Sequence, residues 1–175
     1  MRIKDRDFEV FMSAEELDGI VRRVAEKVSE DYEGKEVVVC PILTGAFMFA
    51  TDLVRKLTMP CEVRFVRYTS YSGMSSTGEV RCGLPFPPEV KGKDVLIVED
   101  VVDTGLSMKR MLKDVWKLKP RSVRICSLFF KPGAFQGDYA VDYVGREIGN
   151  EFIVGYGLDY DEQGRTLKDL YVVKD

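Results

Sequence analysis

The sequence predicts an α/β fold: a central, mostly parallel, twisted sheet flanked by helices, with a small β-rich hood formed largely by the C-terminal part. Three observations predict it. Apolar runs of strand length, such as Val95 to Val98, carry no alternation, as strands buried on both faces do. Helix-length stretches with apolar residues at helical spacing lie between such runs, and that order favours a parallel sheet with right-handed crossovers. After Asp138 the pattern changes to short strand-like pieces separated by glycines. The 175 residues suffice for one sizeable core and are few for two. The expected division is a single domain with its core at about 10–135 and a hood at about 138–175, joined by the N-terminus.

Each element has its own signal. Ser13 with Glu16 makes a capping box, and Leu17, Ile20, Val21, Val24 and Val28 keep helical spacing after it. Glu36 to Ile42 reads as a buried strand. A helix follows from Ala46 to Leu57, with Phe47, Phe49, Ala50, Leu53 and Val54 among its apolar positions. Cys61 to Tyr68 is the next strand. TSYSGMSSTGE, between Tyr68 and Val80, has the composition of a mobile loop. Then come the Val95 to Val98 strand, a turn, and a helix carried by Met108, Met111, Leu112, Val115 and Leu118 that ends before Pro120. Arg121 to Phe130 is a further strand, and Phe152 to Val154 and Tyr171 to Val173 are the short pieces of the tail.

Composition excludes several function classes. Lys and Arg number 26 against 29 Asp and Glu, a net charge of −3, so no global basic field draws in nucleic acid. No apolar segment reaches membrane-spanning length and MRIKDRDFEV has no signal-peptide core, so a cytoplasmic location is expected. Cys40, Cys61, Cys82 and Cys126 form no CxxC pair and read as reduced thiols rather than a zinc site or disulfide framework. The chain has no histidine, which removes Ser-His and Cys-His catalysis and any His-ligated metal.

The chemistry concentrates in KDVLIVEDVVDTGLSMKRM, Lys93 to Met111. Glu99 and Asp100 sit at the carboxyl end of a buried strand, where open α/β sheets bind ligands. Two adjacent carboxylates suit the vicinal hydroxyls of a ribose. Asp103, Thr104, Gly105, Leu106 and Ser107 bring hydroxyls, a glycine and backbone amides to a helix start, which is a seat for a phosphate. Leu43-Thr44-Gly45-Ala46 is a second strand-to-helix turn that can offer amides to an anion.

Two acids, two apolar residues, Asp-Thr-Gly and a second hydroxyl together resemble the phosphoribosyl-diphosphate motif of the type I phosphoribosyltransferases. With the Leu43-Thr44-Gly45 turn the resemblance narrows to the hypoxanthine-guanine phosphoribosyltransferases, and its correspondences run from Leu43 to Arg165. It implies transfer of a phosphoribosyl group from phosphoribosyl diphosphate to a purine base. Asp103 is then the general base or hydrogen-bond partner at purine N7. Glu99 and Asp100 hold the ribose and a magnesium ion, and residues 103–107 hold its 5'-phosphate. Leu43, Thr44, Gly45 and Arg165 hold the diphosphate, through a loop with a non-proline cis peptide, placed here at Thr44-Gly45. Ser70 and Tyr71 match a catalytic loop that closes over the reaction and excludes water.

For the base, the resemblance implies that Lys131 donates to O6 of a 6-oxopurine, since an ammonium has donors and no acceptor. Phe152 matches the aromatic stacked on the purine, although taken alone it reads as core. Ile153 supplies backbone contacts at the base edge, and Asp159, in the same pocket, holds a second magnesium. Family members often carry lysine before the loop glycine, where this chain has Thr44, and some carry arginine at the place of Phe135. Relatives form dimers or tetramers, so a homo-oligomer is expected. A xanthine-preferring enzyme, or a regulatory nucleotide sensor on the same fold, remains open from the sequence.

Overall fold

In the computed structural model, residues 1–70 and 80–174 are described. Chain order gives β1 (Arg2–Ile3), β2 (Arg6–Met12), α1 (Ala14–Asp31), β3 (Val37–Leu43), α2 (Phe47–Lys56), β4 (Cys61–Val63), β5 (Val66–Ser70), β6 (Val80–Leu84), β7 (Asp94–Val102), α3 (Leu106–Lys117), β8 (Ser122–Phe130), β9 (Tyr143–Glu147), β10 (Ile153–Val154) and β11 (Leu170–Val173). The larger sheet runs β6-β5-β3-β7-β8-β9, with β4 also on β3. All its pairings are parallel except β5 with β6. A smaller antiparallel sheet, β1-β2-β11-β10, joins the N-terminus to the tail.

Both faces of the central strands are covered, which is why their sequences do not alternate. On one side Val37, Val39, Leu96, Val98, Cys126 and Leu128 meet the apolar stripes of α1 and α2. On the other Val38, Cys40, Ile42, Val95, Ile97 and Ile125 meet Met108, Met111 and Val115 of α3. The capping box at Ser13 has both halves: Glu16 N donates to Ser13 Oγ and Ser13 N to the Glu16 carboxylate.

Four expectations need adjustment. The strand expected over Cys61 to Tyr68 breaks at Arg64 and Phe65. Its halves pair with different stretches of β3, Val37–Val39 and Ile42–Leu43, while Arg64 N donates to Val39 O between them. Residues 143–147, placed by sequence within the hood, instead add an edge strand to the larger sheet beside β8. The strand read from the apolar run Val95 to Val98, with Glu99 and Asp100 at its carboxyl end, runs on to Val102, because β8 extends far enough to pair Val101 with Phe129 and Val102 with Phe130. The cis peptide lies at Leu43-Thr44, one bond before the one anticipated. Among the described residues no helix is long and apolar enough to cross a membrane.

Candidate active site

Strands β3 and β7 lie side by side and parallel, so both turns read as anion seats leave the sheet at the same edge. Between them opens a cavity of about 540 Å³ lined by Leu43, Thr44, Gly45, Glu99, Asp100, Asp103, Thr104, Gly105, Ser107, Asp159 and Arg165. The residues assigned to ribose, phosphate and diphosphate thus share one space, apart from Leu106, whose side chain is exposed at the start of α3. Tyr68, Met108 and Met111 also line it. They were missed because their sequence signal is that of core residues.

The two acids face each other's charge in a half-buried setting. Burial first, and the neighbouring Asp100 charge second, push the Glu99 carboxyl well above the usual carboxylate range. Burial also raises Asp100, against the pull of its contact with Glu99, the Val101 amide and the Arg165 charge. The pair therefore holds a proton more readily than free carboxyls do, with Glu99 its seat. Asp100 Oδ1 accepts from Val101 N at 2.7 Å, which fixes that side chain along the strand. Gly45 packs directly on it: a β-carbon there would fall 1.7 Å from Asp100 Oδ2.

The hood closes the far side. Arg165 donates to Gly157 O at 2.9 Å and pairs with Asp159 Oδ1 at 2.8 Å, while Asp159 Oδ2 accepts from Glu162 N. Gly157, at φ 102°, presses on the first turn: a β-carbon there would lie 2.3 Å from Gly45 O. Gly157 is a further residue the sequence reading passed over, and its place in VGYGLDY between two assigned residues was the available signal.

Of the residues expected to meet the base, Asp159 lines the cavity, whereas Lys131, Phe152 and Ile153 stand apart from its wall. Lys131 follows β8, and its Nζ lies 3.3 Å from Asp103 Oδ2 and donates to Glu151 O at 3.1 Å. Asp103 thus links the turn at 103–107 to Lys131, expected from the sequence to meet the base. Phe152 is 42% exposed, outside the core, with its ring edge-on to Tyr160 at 5.7 Å. Ile153 is buried, and its backbone pairs with Val172. Ser70 ends β5 opposite Val80, and Tyr71 lies outside the described residues.

Comparison with known proteins follows the same outline. The model of the phosphoribosyl transferase domain matches residues 13–161. A hypoxanthine-guanine phosphoribosyltransferase of Mycobacterium tuberculosis is 39% identical over 165 residues, spanning 90% of this chain and 82% of its own. The solved structure of a hypoxanthine-guanine phosphoribosyltransferase from Bacillus anthracis superposes with a TM-score of 0.88 at 34% identity, over 99% of this chain and 100% of that one. A hypoxanthine phosphoribosyl transferase from Trypanosoma cruzi, solved to study the role of its C-terminal region in oligomeric state and activity, gives 0.88 at 31% identity, covering 99% and 95%.

Proposed function

The chain belongs to the phosphoribosyl transferase family, and from that premise we propose that it transfers the 5-phosphoribosyl group of phosphoribosyl diphosphate to N9 of hypoxanthine or guanine in purine salvage. IMP or GMP and diphosphate are the products. The observation that carries the choice of base is the Lys131–Asp103 pair, 3.3 Å apart. A 6-oxopurine presents an acceptor, O6, beside N7, which an ammonium and a carboxylate side by side can bracket. Adenine turns an amino group toward the same ammonium and sets donor against donor. Phe152, exposed beside Glu151, offers a ring face for the purine.

Asp103 takes up proton density at N7 as N9 becomes the nucleophile, a contribution of about two to four powers of ten in rate. Thr104, Gly105, Leu106 and Ser107 hold the 5'-phosphate at the head of α3. Leu43, Thr44 and Gly45 meet the diphosphate from the sheet side, and Arg165 meets it from the hood. Ser70 and Tyr71 are assigned to closure over the centre on the resemblance alone.

Magnesium belongs to this reading. Two adjacent half-buried carboxyls, both raised chiefly by burial, with oxygen donors only, fit a hard divalent cation whose charge would favour their ionised forms. Among the described residues no three acidic, His or Cys side chains converge into an all-protein cage, so Glu99 and Asp100 would share the ion with substrate oxygens. Bound there, it would neutralise the departing diphosphate. Asp159 would reach a second ion by releasing Arg165. The reading also places the protein in the cytoplasm as a homo-oligomer, dimer or tetramer.

An assay of nucleotide formation from phosphoribosyl diphosphate, magnesium and each of hypoxanthine, guanine, xanthine and adenine tests it. Turnover of hypoxanthine or guanine is expected, with adenine slower by orders of magnitude. No turnover of any base refutes the transfer; equal turnover of adenine refutes the role given to Lys131. Asp103→Asn should lower kcat by about a hundredfold or more with phosphoribosyl diphosphate affinity kept.

A further inference from the structure

Behind the phosphate turn runs a strap, residues 135–139, that the proposed reaction does not use. It grips the turn at two successive carbonyls. Gln136 N donates to Thr104 O at 2.9 Å, and Tyr139 Oη donates to Gly105 O at 2.8 Å. Gly105 O also accepts the first α3 bond, from Lys109 N, so the phenol takes its second lone pair.

A trans peptide points its N–H opposite its C=O. Tying the Thr104 and Gly105 carbonyls back to the strap therefore turns the Gly105 and Leu106 amides away from it. Those are amides a phosphate at the head of α3 needs. The Leu106 amide has Thr104 Oγ1 at 3.4 Å, a long contact that an anion can replace.

The strap is held by aromatic packing. Phe135 stands edge-on to Phe130 at 5.1 Å and to Tyr139 at 5.2 Å, two contacts of the favoured aromatic geometry. Gly105, at φ 79°, lies flush on this stack: a β-carbon there would fall 2.5 Å from Tyr139 Oη and 2.6 Å from the Phe135 ring. Phe135 occupies the place where the family resemblance finds arginine, and here its ring packs between Phe130 and Tyr139. Burial pushes the Tyr139 phenol upward, so it remains a donor at physiological pH.

We propose that Tyr139 is a positioning residue for the 5'-phosphate: resting on Phe135, it holds the Gly105 carbonyl so that the turn's amides face the phosphate. The inference rests on the transferase reading, which supplies the ligand. Tyr139→Phe keeps the ring and removes only the donor, and it isolates the effect. Calorimetric titration of GMP and of guanosine, with magnesium present, reads it out for both proteins.

The expected result is a GMP affinity weakened about five- to tenfold, the worth of one hydrogen bond, with guanosine binding unchanged. Equal affinities of variant and parent for GMP overturn the proposal. An equal loss for both ligands overturns it too, because it marks general damage rather than a misdirected phosphate seat. If the parent itself binds GMP no better than guanosine, the phosphate site and the transferase reading fail together, a result distinct from the first two. Phe135→Leu, which removes the ring under Tyr139 and keeps its hydroxyl, should reproduce the same split; loss on guanosine alone counts against it.

Discussion

At Gly45 the site tolerates no side chain. A β-carbon would sit 1.7 Å from Asp100 Oδ2, so Gly45→Ala must displace either the turn at 43–46 or the Asp100 carboxylate. Misplacement by an ångström in a reacting centre costs on the order of a hundredfold, and kcat/KM for phosphoribosyl diphosphate should fall by about that much. A variant within a factor of two of the parent would mean the turn can shift freely. Glu99 gives a prediction of opposite sign for stability. Its carboxyl is raised, so the folded state binds more protons than the unfolded state above the ordinary carboxylate range, and stability falls as pH rises through that window. Glu99→Gln removes the penalty. The variant should melt higher than the parent at pH 7 without magnesium, by about 2–4 °C for each kcal/mol relieved, while losing transfer activity. The gap should close toward pH 4, where the parent carboxyl is protonated in both states; a constant gap would contradict the assignment of charge.

Among the elements, the turn before β10's partner strand matters more than its length suggests. Tyr156, at φ 49°, donates its phenol to Asp52 Oδ2 of α2 at 2.6 Å, and the adjoining Gly157 presses on Gly45. One hydrogen bond thus clamps the hood against α2, the helix that follows the turn at 43–46. Tyr156→Phe leaves the Asp52 carboxylate half-buried without this donor, a cost of about 1–3 kcal/mol. The KM for phosphoribosyl diphosphate should rise severalfold while the KM for the purine, whose assigned residues lie beyond β8 and at β10, stays near the parent value. Equal changes in both constants would assign the bond to stability alone. The capping box of α1 was legible because its two residues, Ser13 and Glu16, are three apart in sequence. The Tyr156–Asp52 bond joins residues 104 apart, and no local pattern announces it.

Across the whole molecule, the two sheets share a core. Met12, Ile153 and Leu170 of the smaller sheet belong to the same apolar cluster as Leu17, Val21, Phe49 and Leu53 under the larger one. Leu170 is fully buried, so Leu170→Ala should cost about 2–5 kcal/mol. Because the cluster is continuous, the loss should appear as a single earlier unfolding transition. Trp116 fluorescence, reporting α3, and hydrogen exchange in β2 and β11 should give the same midpoint. Separate midpoints would show that the hood unfolds independently.

The sequence by itself determined the helices, the central strands, the two strand-to-helix turns and the acids between them, because each is specified within a few residues by periodicity, capping, glycine or adjacent charge. Tertiary structure alone decided what those pieces face. The halves of the Cys61 to Tyr68 run part because each finds a different stretch of β3, and residues 143–147 join the larger sheet because β8 offers a free edge there. The same holds for the contacts that shape the site. Asp103 with Lys131, Gly157 on Gly45 and Tyr139 on Gly105 join segments 28, 112 and 34 residues apart, and their chemistry depends on distances of a few ångströms that only packing of the folded chain sets.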